Sequence, residues 1–317
     1  MTEPAGPIIH RFAHEAMATA FEVMIIGQDA EYARQASKAA FEELDRLHLE
    51  LNRFDPTSDV SQINASRAGQ KVRVGLATIA CLKAAAEANA DTGGAFDVTV
   101  GALVACWRNK DKTPRTPTAE ELAAARARTG MKLVEILEDE HAVRLKVDGV
   151  KIDFGGIGKG YAVDRMVDIL KEWGIQTALV HGGHSSLLGV GAPPKAPRVG
   201  DERGWKVAIS GDAGKTATLG YVYLKDRSLS GSAIPPEDQH IIDPRLGRPA
   251  RSHAAAWAVA GSATLTDGLS TAFVVMSTEE IAEYCKRHSD VGAMVITRDE
   301  GKQMLMGQWA VSYEPLA

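Results

Sequence analysis

Cysteine is scarce, with Cys81, Cys106 and Cys285 the three in 317 residues. Three thiols cannot complete a set of disulfides, and their separations match no metal-binding spacing. They read as small buried residues of a reducing compartment. Positive charge is not in excess either. The formal net charge is -5 and no basic cluster carries interleaved aromatics, which argues against nucleic acid as the main partner. No apolar run reaches the length needed to cross a bilayer. The opening Met1-Thr-Glu-Pro-Ala-Gly-Pro7 has no positive start, apolar stretch or lipobox cysteine, so a cytoplasmic protein is expected. There is no repeat, no low-complexity tract and no GxxxxGK[ST] phosphate loop.

What is present is average globular material. Hydrophobic residues make up 45% and charged residues 24%, and the length allows a substantial core. The patterns predict a strand over 17–26 and a helix over 30–51 with an apolar stripe of Ala33, Ala36, Ala40, Leu44, Leu47 and Leu51. Turn chemistry at 53–59 breaks that helix. Further helices are predicted over 76–90, 119–128, 160–173, 267–276 and 279–287. Strands are predicted over 134–138, 142–147, 177–180, 205–209, 219–224, 255–260 and 293–297, with a surface loop over 191–204. Strands and helices mix without strict βαβ alternation, which points to α+β. No clear linker divides 1–317, so one domain with room for two lobes is expected.

The segment Lys151-Ile-Asp-Phe-Gly-Gly-Ile-Gly-Lys-Gly-Tyr161 joins an acid, a glycine-rich turn and a lysine at the mouth of an amphipathic helix. Backbone amides, a helix N-terminus and the Lys159 charge together suit a phosphate-bearing ligand, although a plain strand-to-helix turn is the alternative. Gly94-Ala-Phe-Asp97 is either a helix stop or a ligand loop in which Phe96 packs on a ring and Asp97 accepts from a polar edge. His240-Ile-Ile-Asp-Pro244 offers a residue in the general acid-base range, with Asp243 capping a turn. In Thr264-Leu-Thr-Asp-Gly-Leu-Ser-Thr271, Thr266 reads as N-cap. Asp267 and Thr271 stand at i and i+4, so two hard oxygens share one face, suited to Mg²⁺ beside phosphates. His181 and His184 lack a third zinc ligand, and Ser228–Ser232 reads as a small-residue turn.

In their order along the chain these segments resemble the FAD:protein FMN transferase family, the ApbE-type flavin transferases. The resemblance rests on Met17-Ala-Thr19, Phe54-Asp-Pro-Thr-Ser-Asp-Val-Ser-Gln-Ile-Asn64, Gly94–Gly101, Asp153–Asp164, Gly182-Gly183, His240–Pro244 and Asp267–Thr271. It implies an α+β fold of the T-fold-like type with FAD between two halves. It implies Mg²⁺-dependent cleavage of FAD, attachment of FMN by a phosphoester to a Thr or Ser of a partner protein, and release of AMP. By position, Met17, Phe54, Ala95, Phe96, Asp97, Asp153, Lys159 and Ile242 are implied as FAD contacts. Asp267, Thr271 and the Gly156 carbonyl are implied as Mg²⁺ ligands, with His240 the candidate acid-base residue and Asp267 also counted as catalytic.

Such a reaction is governed by positioning and charge neutralisation, and the nucleophile belongs to the partner. That accounts for the lack of a Ser-His-Asp or Cys-His arrangement. The chain departs from the family pattern at Leu229-Ser-Gly231 for Thr-Ser-Gly, at His184 after Gly182-Gly183 for Asp, and at Ala18 for Gly. Two alternatives stay open: an FAD pyrophosphatase using water as acceptor, and a non-catalytic flavin-binding protein.

Overall fold

The computed structural model describes residues 8–109, 111, 113–194, 196, 198–199, 202–210, 218–235, 241–311 and 313–316. Its centre is an eight-stranded sheet whose strands lie side by side in chain order. They are β1 (Ile9–Ala16), β2 (Thr19–Ile26), β3 (Ala178–Gly182), β4 (Ser186–Val190), β5 (Arg227–Ala233), β6 (His253–Ala260), β7 (Gly292–Thr297) and β8 (Gln303–Gly307). Each neighbouring pair is antiparallel.

The helices are α1 (Ala30–Leu51), α2 (Asp59–Ala65), α3 (Leu76–Asp91), α4 (Gly101–Cys106), α5 (Ala119–Arg126), α6 (Gly158–Glu172), α7 (Ala263–Val275) and α8 (Thr278–Arg287). Side chains alternate between the faces of a strand, and that alternation builds two cores. On β2, Phe21, Val23 and Ile25 pack with α1 and α6, whereas Ile26 joins the opposite cluster. On β6, Ala256, Ala258 and Ala260 face the α7 side. Ala255, Trp257 and Val259 face a small sheet of Trp205–Ser210, Thr218–Leu224 and Tyr313–Pro315. A second small sheet, Lys71–Arg73, Ala142–Leu145 and Val134–Leu137, supports the segment leading to α6. The α+β expectation holds. Among the described residues no helix is long and apolar enough to cross a membrane.

Where sequence and structure part, tertiary contacts decide. The strand expected across 17–26 is a hairpin: Met17 and Ala18 form its turn at φ 50° and 61°. Ser228–Ser232 is not a turn but lies within β5, between β4 and β6. Its small residues suit a strand covered on both faces, and Ser228 and Ser230 each contact Thr266 Oγ1 at 2.8 Å.

Thr266 is not the cap of α7, which begins four residues before Asp267 with Ser262 as N-cap. The cause is distant in sequence. Asp164, on α6, accepts from the amides of Ala263 and Thr264, each at 2.8 Å, and supplies the negative charge that a helix start favours. The loop over 191–204 contains a short hairpin of Arg198–Val199 and Glu202–Arg203.

Candidate functional site

The β1–β2 turn, the β3–β4 turn, the loop before α4, the turn before α6 and the face of α7 carrying Asp267 surround one cleft of about 1420 Å³. Met17, Ala95, Phe96, Asp97, Asp153, Gly156, Lys159, Ile242, Asp267 and Thr271 all line it. Phe54 does not. It is 74% exposed, beneath the guanidinium of Arg53 at 4.3 Å from its ring centroid. Arg53 does line the cleft. His240 lies outside the described residues, while Ile241, Ile242 and Pro244 just after it are in the lining.

The junction of α6 and α7 is the densest part of the site. Asp267 is buried, and its Oδ2 accepts from the Gly160 amide at 3.0 Å. Lys159 Nζ lies 4.0 Å from the same oxygen and donates to the Gly155 carbonyl at 3.3 Å. α6 has no side-chain N-cap of its own. The Asp267 carboxylate therefore meets the positive end of α6, where an amide and an ammonium compensate its desolvation. One turn further along α7, Thr271 packs on the glycine turn: a Cβ built on Gly156 would sit 3.0 Å from Thr271 Oγ1 and 3.2 Å from the Phe96 ring. A side chain at position 156 would push Thr271 and Phe96 back by a few tenths of an ångström, and glycine avoids this.

The glycine turn does not present a row of amides to a ligand. Gly155 donates to Asp153 Oδ1 at 2.9 Å, Ile157 and Gly158 donate to the Phe154 carbonyl, and Gly160 donates to Asp267. The phosphate-cradle reading thus fails for these amides.

Asp97 and Asp153 are held from inside. Asp97 is buried and accepts from the Thr99 hydroxyl at 2.6 Å, the Thr99 amide at 2.8 Å and the Met131 amide at 3.2 Å. Burial pushes its carboxyl above the ordinary range, against the pull of those donors. Asp153 pairs with Arg53 Nε at 3.1 Å. Asn64 fixes the segment before it, accepting from the Ile152 amide at 2.6 Å and donating to the Ile152 carbonyl at 2.9 Å.

Sequence reasoning gave no role to Arg53, Asn64, Thr99 or Asp164, although each lay inside a quoted segment; a polar residue within each motif was the available signal. Met17 is secured through its amide, which donates to His48 Nδ1 at 2.6 Å. His184 and Leu229, two departures from the family pattern, both line the cleft. His181 does not. Its Nε2 is buried without a partner, and burial lowers the ring's pKa.

The ApbE family model matches residues 17–295. The chain belongs to that family. It is 27% identical over 311 residues to the FAD:protein FMN transferase of Salmonella typhimurium, covering 95% of this chain and 88% of that one. It is 29% identical over 281 residues to the FAD:protein FMN transferase of Vibrio cholerae, covering 84% and 81%. Among solved structures it resembles the Pseudomonas stutzeri flavinyl transferase ApbE, apo form. There the TM-score is 0.83 at 26% identity, covering 99% of this chain and 100% of that one.

Among the described residues no group of three or more His, Cys, Asp or Glu side chains is placed to hold a metal. A metal here has to use mixed oxygen donors. One carboxylate, one hydroxyl and one carbonyl, at Asp267, Thr271 and Gly156, would offer hard oxygen donors of the kind that suit Mg²⁺. They do not fit zinc or a soft metal.

Proposed function

We propose that the chain is an FAD:protein FMN transferase that binds FAD in the cleft, transfers FMN to a Thr or Ser hydroxyl of an acceptor protein and releases AMP. The observation that carries this reading is the α6–α7 junction, where Asp267, Thr271, Gly156 and Lys159 converge inside one cleft. The size agrees with a dinucleotide. At about 1420 Å³ the cleft exceeds the roughly 300–1,000 Å³ of an ordinary small-ligand pocket.

In this reading the acceptor oxygen forms a bond to the FMN phosphorus as the bond to the bridging oxygen of AMP breaks. The hydroxyl proton passes to a base, for which His240 is our candidate, and AMP leaves as its phosphate. Asp267, Thr271 and the Gly156 carbonyl would hold Mg²⁺, which neutralises charge on the pyrophosphate when bound. Lys159 adds a point charge beside that position. Phe96, on the buried side of the cleft, and Met17 and Ile242 on its walls offer apolar surface to the flavin. Asp97, held by Thr99 and Met131, offers a fixed acceptor edge. Asp153 is oriented by Arg53 and the Gly155 amide, and Phe54, stacked under Arg53, would reach the ligand only at its outer end.

The enzyme contributes no nucleophile, so specificity resides in which hydroxyl reaches the phosphorus. We infer a cytoplasmic acceptor, in keeping with the free, buried thiols of Cys81, Cys106 and Cys285. The test is to incubate the protein with FAD, Mg²⁺ and acceptor proteins bearing exposed Thr or Ser segments, then to follow AMP and protein-bound flavin fluorescence. Stoichiometric AMP and a flavin-labelled acceptor are expected. AMP with free FMN and no labelled protein would establish hydrolysis instead. Bound FAD with no AMP would leave a flavin-binding protein.

A further inference from the structure

Proton bookkeeping in a chain of hydroxyls beneath Thr271 assigns a role to a residue outside the implied ligand set. Ser270 Oγ donates to the Asp267 carbonyl at 3.0 Å, an oxygen that can only accept. A serine has one hydroxyl hydrogen, and that of Ser270 is committed. In the 2.9 Å contact between Ser232 and Ser270, Ser232 is therefore the donor. The Ser232 hydrogen is committed in turn, so in its 3.3 Å contact with Thr271 Oγ1 the donor is Thr271. The order of donation runs from Thr271 to Ser232 to Ser270 to the α7 backbone.

We propose that Ser232 is a positioning residue that takes the Thr271 hydroxyl hydrogen and so leaves the Thr271 lone pairs free for a divalent cation. A hydroxyl ligates a cation through a lone pair, and a partner that fixes its hydrogen on the far side favours that orientation. Ser232 sits where this requires, on β5 in the cleft lining, with Gly231 before it packed against Trp257. The neighbouring group Ser228, Ser230 and Thr266 is fully buried and none of its members lines the cleft. Ser232 links the buried Ser270 of α7 to Thr271 on the ligand side.

The inference rests on the reading of Thr271 as a metal ligand, and the experiment separates the two. Mn²⁺ binding in the presence of FAD is measured by electron paramagnetic resonance on the wild type, Thr271→Ala, Ser232→Ala and Ser232→Thr. Thr271→Ala is expected to lose most binding. Ser232→Ala is expected to weaken it about tenfold, the usual size of an outer-shell effect. Ser232→Thr, which keeps the acceptor oxygen, is expected to bind as the wild type does.

A wild type that binds no Mn²⁺, or a Thr271→Ala that binds equally well, would overturn the metal reading itself. A responsive Thr271→Ala beside an unaffected Ser232→Ala would overturn the role of Ser232 alone. Loss in both Ser232 variants would also overturn it, since steric disruption and not the hydrogen bond would then be responsible. Should Ser232→Ala fail to fold, Ser270→Ala gives the same test. It frees the Ser232 hydrogen to point at Thr271 and is expected to weaken Mn²⁺ binding, and unchanged binding would contradict the proposal.

Discussion

The Gly160 amide donates to Asp267 Oδ2 at 3.0 Å, joining the first turn of α6 to α7 across 107 residues of chain. A Cβ built on Gly160 would lie 2.1 Å from the Ala263 carbonyl oxygen and 2.7 Å from Asp267 Cβ. Backbone cannot give way as a flexible side chain does. Gly160→Ala is expected to part the helices, lower stability by about 2–3 kcal/mol and abolish FAD turnover. Urea unfolding checks the first effect, and an unchanged midpoint would show that the junction has slack.

Lys159 lies beside Asp267 and lines the cleft, and in the proposed reading it is a point charge for phosphate. Lys159→Ala is expected to weaken FAD binding about tenfold, roughly 1.4 kcal/mol, while riboflavin, which has no phosphate, binds as before. Flavin fluorescence titration reads both. Equal loss for the two ligands would mean that Lys159 supports the fold of the cleft and does not bind phosphate.

Ala18 occupies the left-handed region at φ 61°, a conformation costly for any residue with a Cβ. Ala18→Gly is expected to stabilise the protein by about 0.5–1 kcal/mol, the relief of strain exceeding the added chain entropy. Met17, its neighbour in the turn at φ 50°, keeps its own Cβ and is not relieved by this change. A lower unfolding midpoint for the glycine variant would contradict this account.

His181 carries a buried ring nitrogen without a partner, and burial depresses its pKa from 6.5, with Arg11 and His184 adding repulsion and Glu22 opposing. A depressed folded pKa means that stability present above pH 6.5 is lost as pH falls through the folded value. His181→Leu is expected to raise neutral stability by about 1 kcal/mol by removing an unsatisfied group. It should also flatten part of the acid limb of a stability-against-pH curve. The remainder belongs in part to His253, whose pKa burial also lowers. An unaltered acid limb would show that His181 charges freely.

Local pattern carried a large part of the fold. The apolar stripe of α1 fixed its limits at Ala30 and Leu51, and the turn residues after α6 marked its end. The cleft was legible too: ten residues singled out from the motifs do share it. What escaped was whatever depended on contacts between distant segments. β5 looked like a turn because its serines have low strand propensity, yet its hydroxyls are satisfied by Thr266 on α7. The start of α7 was misplaced because Asp164, on another helix, supplies the charge at its N-terminus. The glycine turn looked like an amide cradle because nothing in its sequence reveals that Asp153, Phe154 and Asp267 already take up those amides.

The most direct measurement of the central claim is AMP release from FAD, with Mg²⁺ supplied and with Mg²⁺ chelated, for the wild type and Asp267→Ala. Turnover is expected only in the wild type with Mg²⁺. Removing the carboxylate should cost at least about 100-fold, some 2.7 kcal/mol of transition-state stabilisation, while Asp267→Ala still binds FAD. AMP released at the same rate by Asp267→Ala, or by the wild type in chelator, would contradict the assignment of the α6–α7 junction as the metal-dependent centre.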